Sequence, residues 1–163
     1  MKWSKLKKTI EDKFAECVKH RVKIYVTRYT TGSYWMVRGW ITTDKTEIAN
    51  FSTPDNYNRF GWDTPEINER ILPEERTAGK AAEKGEFSRW DFLDACWEYI
   101  NLNIDDALSS DNPIIKSFAV LDKRLGKRRL KLINKSDLHP LVLRLLEFRL
   151  ECENNKTVSK TDE

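Results

Sequence analysis

The chain has 163 residues, of which 39% are hydrophobic and 34% charged, and a net charge of +3. That length supports one well-cored domain and is short for two, and the composition suits a soluble globular protein rather than a disordered one. No apolar run approaches the length of a membrane span, and the opening MKWSKLKKTIEDKF lacks the apolar stretch of a secretory signal, so cytoplasmic residence is the default expectation.

Trp3, Leu6, Ile10, Phe14 and Val18 recur at spacings of three and four, which predicts an amphipathic helix over residues 4–19 with Ser4 as N-cap. The period then changes to two. Val22, Ile24 and Val26 alternate with polar neighbours as a half-buried strand. Thr30-Thr31-Gly32-Ser33 reads as a turn, Tyr34 to Thr43 as a second strand, Asp44-Lys45 as another turn and Glu47 to Ser52 as a third strand. Gly39 marks a bulge or a close packing contact. The three strands form an antiparallel meander with the first helix as its cover.

Residues 52–63 carry turn chemistry with three embedded aromatics, and they open a long loop over 53–87. Within it, Thr64-Pro65 caps a short helix over 65–72, interrupted by Pro73. The rest is helical. Ser88 with Asp91 forms a weak capping box, and Phe92, Leu93, Cys96, Trp97, Ile100 and Ile104 give a buried stripe to about residue 108. Asn112-Pro113 starts a helix that continues through Leu121 and Leu125, with Gly126 as its C-terminal cap. A short basic helix covers 127–134, Pro140 opens the last helix, and residues 154–163 read as a disordered tail.

Charge is unevenly spread. Residues 1–20 hold six lysines against three acids, residues 61–111 thirteen acids against five basic residues, and residues 121–135 seven basic residues against one acid. Lys123, Arg124, Lys127, Arg128, Arg129 and Lys131 are therefore the first binding candidates. They form either a phosphate-facing patch or the solvated side of a helix pair salt-bridged to Asp91, Asp94, Glu98, Asp105 and Asp106. Interleaved leucines favour a structural corner. In that corner Asp122, Arg124 and Arg128 serve the fold, while Lys127, Arg129 and Lys131 point outward. The second candidates are Tyr57, Arg59, Phe60 and Trp62, whose composition is that of an interface hot spot or of a loop pinned by its aromatics.

Catalytic chemistry finds little to work with. The chain has two histidines, His20 and His139, and each has a helix-end explanation. Cys17 and His20 have a C-x2-H spacing with no second ligand pair, and there is no nucleophile elbow and no glycine-rich phosphate loop. Cys17, Cys96 and Cys152 lack the count and spacing of a disulfide framework and read as core residues. No catalytic residue, metal or cofactor is expected.

The segments MKWSKLKK, RGWITTD followed by EIANF, LDKRLGKRRL and HPLVLRLLEFRLECE together resemble a family of short bacterial cytoplasmic proteins without an assigned activity. The resemblance spans about residues 1–153, apart from the stretch 54–84. It implies a stand-alone single-domain bacterial protein of the kind found in toxin–immunity or phage-defence neighbourhoods.

The resulting expectation is one α+β domain over residues 1–153: a helix, a three-stranded meander and a helical C-terminal half. The function expected first is a non-enzymatic protein-interaction module of the immunity or antitoxin-like class. The alternatives are a nucleic-acid-binding protein using residues 123–131, and a hydrolase or nuclease built on Asp91, Asp94 and Glu98. The expected partner is another protein, then nucleic acid, with no membrane; oligomeric state stays open.

Overall fold

The computed structural model describes residues 1–27 and 37–158, with side chains to 155. The expected turn Thr30–Ser33, residues 34–36 of the second strand and residues 159–163 of the tail lie outside the described residues. The elements run in chain order as helix α1 (Trp3–Glu11), strands β1 (Val22–Val26), β2 (Arg38–Thr43) and β3 (Thr46–Ser52), then helices α2 (Thr53–Phe60), α3 (Arg89–Asn101), α4 (Ile104–Ser109), α5 (Pro113–Leu121), α6 (Lys127–Lys131) and α7 (Pro140–Val158). The sheet is antiparallel in the order β1-β2-β3, so the arrangement is α+β as the periodicities indicate.

α1 is shorter than its apolar stripe predicts. Its N-cap is Lys2, without a side-chain cap, and Ser4 lies inside the helix. The helix ends at Glu11 because the chain beyond it pairs elsewhere. Ala15 N–H donates to Leu121 O at 2.9 Å and Lys123 N–H to Lys13 O at 2.8 Å, bracketing an antiparallel bridge between Phe14 and Asp122. Phe14 and Val18 stay buried in the same core as Leu6 and Ile10, so the stripe survives although the helix does not.

The sheet buries one face. Val26, Gly39 and Phe51 share one cross-strand row, and Ile24, Ile41 and Ala49 the next. Phe92 of α3 lies over this face, stacked on Phe51 at 4.5 Å between centroids. A Cβ on Gly39 would sit 2.6 Å from the Phe92 ring. Gly39 is therefore the close contact, and the irregularity belongs to β3. There the register slips between Ile41 and Thr42, which lets the consecutive Ile48 and Ala49 both be buried. The outer edge of β1 is guarded: at Ile24, Lys7 Nζ donates to the carbonyl at 2.6 Å and the amide donates to Glu11 Oε1 at 3.2 Å.

β2 and β3 join through Asp44 and Lys45, both at positive φ (47° and 69°), the turn whose twist matches a hairpin. Arg21 holds Asp44 through Nε at 2.8 Å. Lysine is poorly suited to this backbone, so Lys45→Gly is expected to raise stability by about 0.5–1 kcal/mol, after allowing for the added freedom of the unfolded chain. Urea unfolding measures it, and a lower midpoint than wild type would contradict the assignment.

Residues 53–60, read as turn, are helical. Ser52 Oγ accepts the Asp55 amide at 3.3 Å, Pro54 sits in the first turn where a missing N–H costs nothing, and Gly61 ends the helix at φ 71°. The helix expected at 65–72 is only a 3₁₀ turn over Ile67–Glu69. The capping box at Ser88 and Asp91 is complete. The single helix expected to 108 is split, because Asn103 Oδ1 accepts the amides of Asp105 and Asp106, both at 2.9 Å, and starts α4.

α5 begins at Asn112-Pro113 as expected and is buried on almost every side between its neighbours, as a helix apolar nearly all round must be, with Lys116 the residue left outside the core. It stops at Leu121, short of Leu125. Gly126, with φ −70° and ψ 155°, is the N-cap of α6 and not the C-terminal cap of α5, and α6 is shorter than the 127–134 expected. α7 runs to Val158, so residues 154–158 of the expected tail are helical.

Candidate functional site

The basic segment folds as a corner. Asp122 is fully buried and accepts from Tyr99 Oη at 2.6 Å, from the Arg124 amide at 2.8 Å and from Arg124 Nη2 at 2.6 Å. Burial pushes the Asp122 carboxyl up, but these donors outweigh it and hold the group below the ordinary aspartate value; burial and the adjacent carboxylate push the Tyr99 phenol well up. Arg149, buried in α7, donates to Leu121 O at 2.9 Å and closes the corner from below.

Most of the remaining cations are committed. Lys123 Nζ donates to Asp12 O at 2.9 Å, Lys127 Nζ to Glu153 O at 3.2 Å, and Arg129 pairs with Asp105. Arg128 and Lys131 are exposed and have no hydrogen-bond or ion-pair partner among the described residues, and Leu132 beside them is 78% exposed. The division differs from the one expected: Arg128 is outward and Arg129 is paired. Of the acids expected to neutralise the segment, only Asp105 does so. Asp94 and Glu98 are exposed on α3 without ion-pair partners among the described residues.

Two of the aromatic candidates, Tyr57 and Trp62, meet at a cleft of about 550 Å³ lined also by Thr53, Asn56, Arg70 and Trp90, with Ser88 and Asp91 on its wall; Arg59 and Phe60 do not line it. α2 presents Tyr57, whose ring meets Trp62 edge-on at 4.5 Å between centroids. Trp62 is 76% exposed and Trp90, at the start of α3, 50%. Phe60 is half-buried, and Arg59 stacks on it at 5.8 Å and pairs with Glu75 at 3.8 Å. Trp97, placed by its spacing in the buried stripe, is 38% exposed on the face of α3 that carries Trp90.

Beneath these rings the polar groups are committed to one another. Arg70 is buried and forms a two-pronged pair with Asp91, Nη2 to Oδ1 at 3.0 Å, while its Nε donates to Pro65 O at 3.1 Å. Asp91 Oδ2 also accepts Ser88 Oγ at 2.7 Å, so one carboxylate caps α3 and anchors the loop. Asp91 is thus tied up, which weighs against the Asp91, Asp94 and Glu98 hydrolase reading. Arg70 and Trp90 were missed from the sequence. Trp90 carried a signal in lying off the buried stripe of its helix, whereas Arg70 carried none, because its partner is 21 residues away.

A second cleft, about 660 Å³, contains His139 and Arg76. His139 Nδ1 accepts the Leu141 amide at 3.0 Å, the capping role expected of it. That fixes the ring proton on Nε2, which donates to buried Glu86 at 2.7 Å. Both ring nitrogens are occupied, so the imidazole has no free lone pair to act as a base. Burial raises the Glu86 carboxyl, but hydrogen bonds from His139 and the Glu83 amide, with the nearby Arg76 charge, bring it below its ordinary value. Cys17 donates to Glu153 Oε1 at 3.1 Å, its thiol pushed up to about 11 by burial and that bond, while His20 is exposed. Among the described residues no three His, Cys, Asp or Glu side chains could together hold a metal ion, and no helix is long and apolar enough to cross a membrane.

Neither a curated protein nor a solved structure matches the chain. A family model matches it over residues 2–150, nearly its whole length, and the chain belongs to the SF0329 protein family.

Proposed function

We propose that this protein is a non-enzymatic interaction module that binds another protein at the aromatic cleft. The observation that carries the reading is the pair Trp62 and Trp90, large aromatic surfaces held at the mouth of a preformed cleft over a closed polar floor. Bare indole area is unfavourable in water at about 25 cal/mol per Å², and rigid aromatics beside arginine are the residues that dominate protein interfaces. The groups under the rings already satisfy one another, so they position the cleft rather than react. With this reading go the finer expectations of a single-domain bacterial cytoplasmic protein of the immunity or antitoxin-like class, which rest on the sequence resemblance.

Affinity capture from a bacterial host, with the Trp62→Ala/Trp90→Ala variant in parallel, tests the proposal. Each truncation is expected to cost about 2 kcal/mol or more of binding. A partner retained at stoichiometric amounts by wild type should be absent from the variant, while circular dichroism of the two proteins stays the same. Equal retention by both removes the cleft from the interface. The nucleic-acid alternative rests on Arg128 and Lys131 and predicts a low-salt mobility shift lost in Arg128→Glu/Lys131→Glu.

A further inference from the structure

We infer that the segment docking at this surface is a basic one, with a lysine or arginine head seated against Trp90 and Trp62 and adjoining apolar side chains laid along Trp97. The inference rests on the reading of the cleft as a protein-binding site and names the chemistry of its partner.

Charge is the first argument. Around the cleft Arg59 is neutralised by Glu75, Arg70 by Asp91 and Lys84 by Asp55. Among the charges that neighbour the lining residues along the chain, what remains is Arg89 against the exposed Asp63, Glu66, Glu69 and Asp94, none of which has an ion-pair partner among the described residues. Asp63 follows Trp62 in the chain, and Asp94 stands one helical turn beyond Trp90. The rings are therefore set in a net acidic surround, which attracts a cationic segment and repels an acidic one.

The rings themselves give the second argument. The Arg89 guanidinium lies over the Trp90 ring at 4.4 Å, so this indole already holds a cation on its face, and it is still half exposed. Tryptophan is the strongest aromatic partner for an ammonium or guanidinium. Along α3, Trp90, Asp94, Trp97 and Glu98 fall at i, i+4, i+7 and i+8 on one face, alternating aromatic and acidic over about 12 Å. An extended or helical segment that alternates basic and apolar residues matches that order.

The test uses three labelled peptides of equal length and apolar content, carrying Lys and Arg, Gln, or Glu at the variable positions, titrated against the full chain by fluorescence anisotropy. The basic peptide is expected to bind at least tenfold tighter than the Gln peptide and to weaken as salt rises, and the Glu peptide not to bind. Asp94→Lys/Glu98→Lys, two exposed sites, should weaken the basic peptide tenfold or more with the urea midpoint unchanged. If the Gln or Glu peptide binds as well as the basic one, and Trp62→Ala/Trp90→Ala abolishes it, the basic-partner inference fails while the cleft survives. Basic-peptide binding that ignores the tryptophan substitutions overturns both. Absence of binding by all three peptides overturns the inference.

Discussion

Asp122→Ala is expected to lower the unfolding free energy by about 3 kcal/mol, since it strands the buried Tyr99 hydroxyl and the Arg124 amide at about 1–3 kcal/mol each. The Arg124 side chain, 36% exposed, adds little because water can take its charge. The corner also joins distant parts of the chain. Leu121 O receives both the Ala15 amide and Arg149, so losing Asp122 loosens the packing of α5 against the strand-like segment at Phe14 and against α7. Urea unfolding measures the effect, and a loss under about 1 kcal/mol would show that the hub is not structural.

The same carboxylate gives a pH signature. Its folded value lies below the ordinary 3.8, so its contribution is complete above that value and is lost as pH falls through the folded value. Glu86, held below 4.5, behaves alike. The stability difference between wild type and Asp122→Asn should therefore stay constant from neutrality to about pH 4 and shrink below it. A difference that widens in acid would reverse the assigned direction.

Gly85→Ala is the second large effect, also about 3 kcal/mol, from strain and overpacking together. Gly85 has φ +76°, and a Cβ there would lie 2.5 Å from Asp55 O and 2.7 Å from its carbonyl carbon, backbone atoms of α2 that cannot rotate aside. Asn56 Nδ2 donates to Gly85 O at 2.9 Å and to Glu86 O at 3.3 Å, tying α2 to the segment that enters α3. Because α2 carries Tyr57 and α3 carries Trp90, the substitution should also widen the cleft and weaken partner capture. Gly79, with a similar φ but open space around it, is the control, and Gly79→Ala is expected to cost clearly less. Equal losses at the two sites would mean that backbone conformation alone, not contact with α2, sets the cost.

The parts of the fold that were legible in advance are those set by short-range bonds. The Ser88 and Asp91 box, the Asn112-Pro113 start and the His139 cap are hydrogen bonds closed within three residues. The period-two runs and the turn at Asp44-Lys45 marked the strands, which then pair with their neighbours along the chain as a meander. Ser52 follows this logic too, yet the sequence of α2 reads as loop. Asn, Asp and Pro suit a turn and a helix's first turn equally, and the aromatic spacing was too short to decide between them.

What sequence could not supply was set by groups far apart in the chain. α1 ends early because residues 13–15 find backbone partners at 121–123, a pairing that no local propensity encodes. In the cationic run Lys123 and Lys127 are held by the backbone carbonyls of Asp12 and Glu153 and Arg129 by the Asp105 carboxylate, which leaves Arg128 and Lys131 as the cations without a partner among the described residues. The cleft needed Tyr57 and Trp62, Arg70, and Trp90 brought together from three stretches, with the Arg70–Asp91 pair as its floor. Helix caps, strand period and charge blocks are properties of neighbours along the chain. Which charge is spent, which aromatic stays bare and where a cleft opens depend on long-range packing, whose energy is gained only once the whole core has formed.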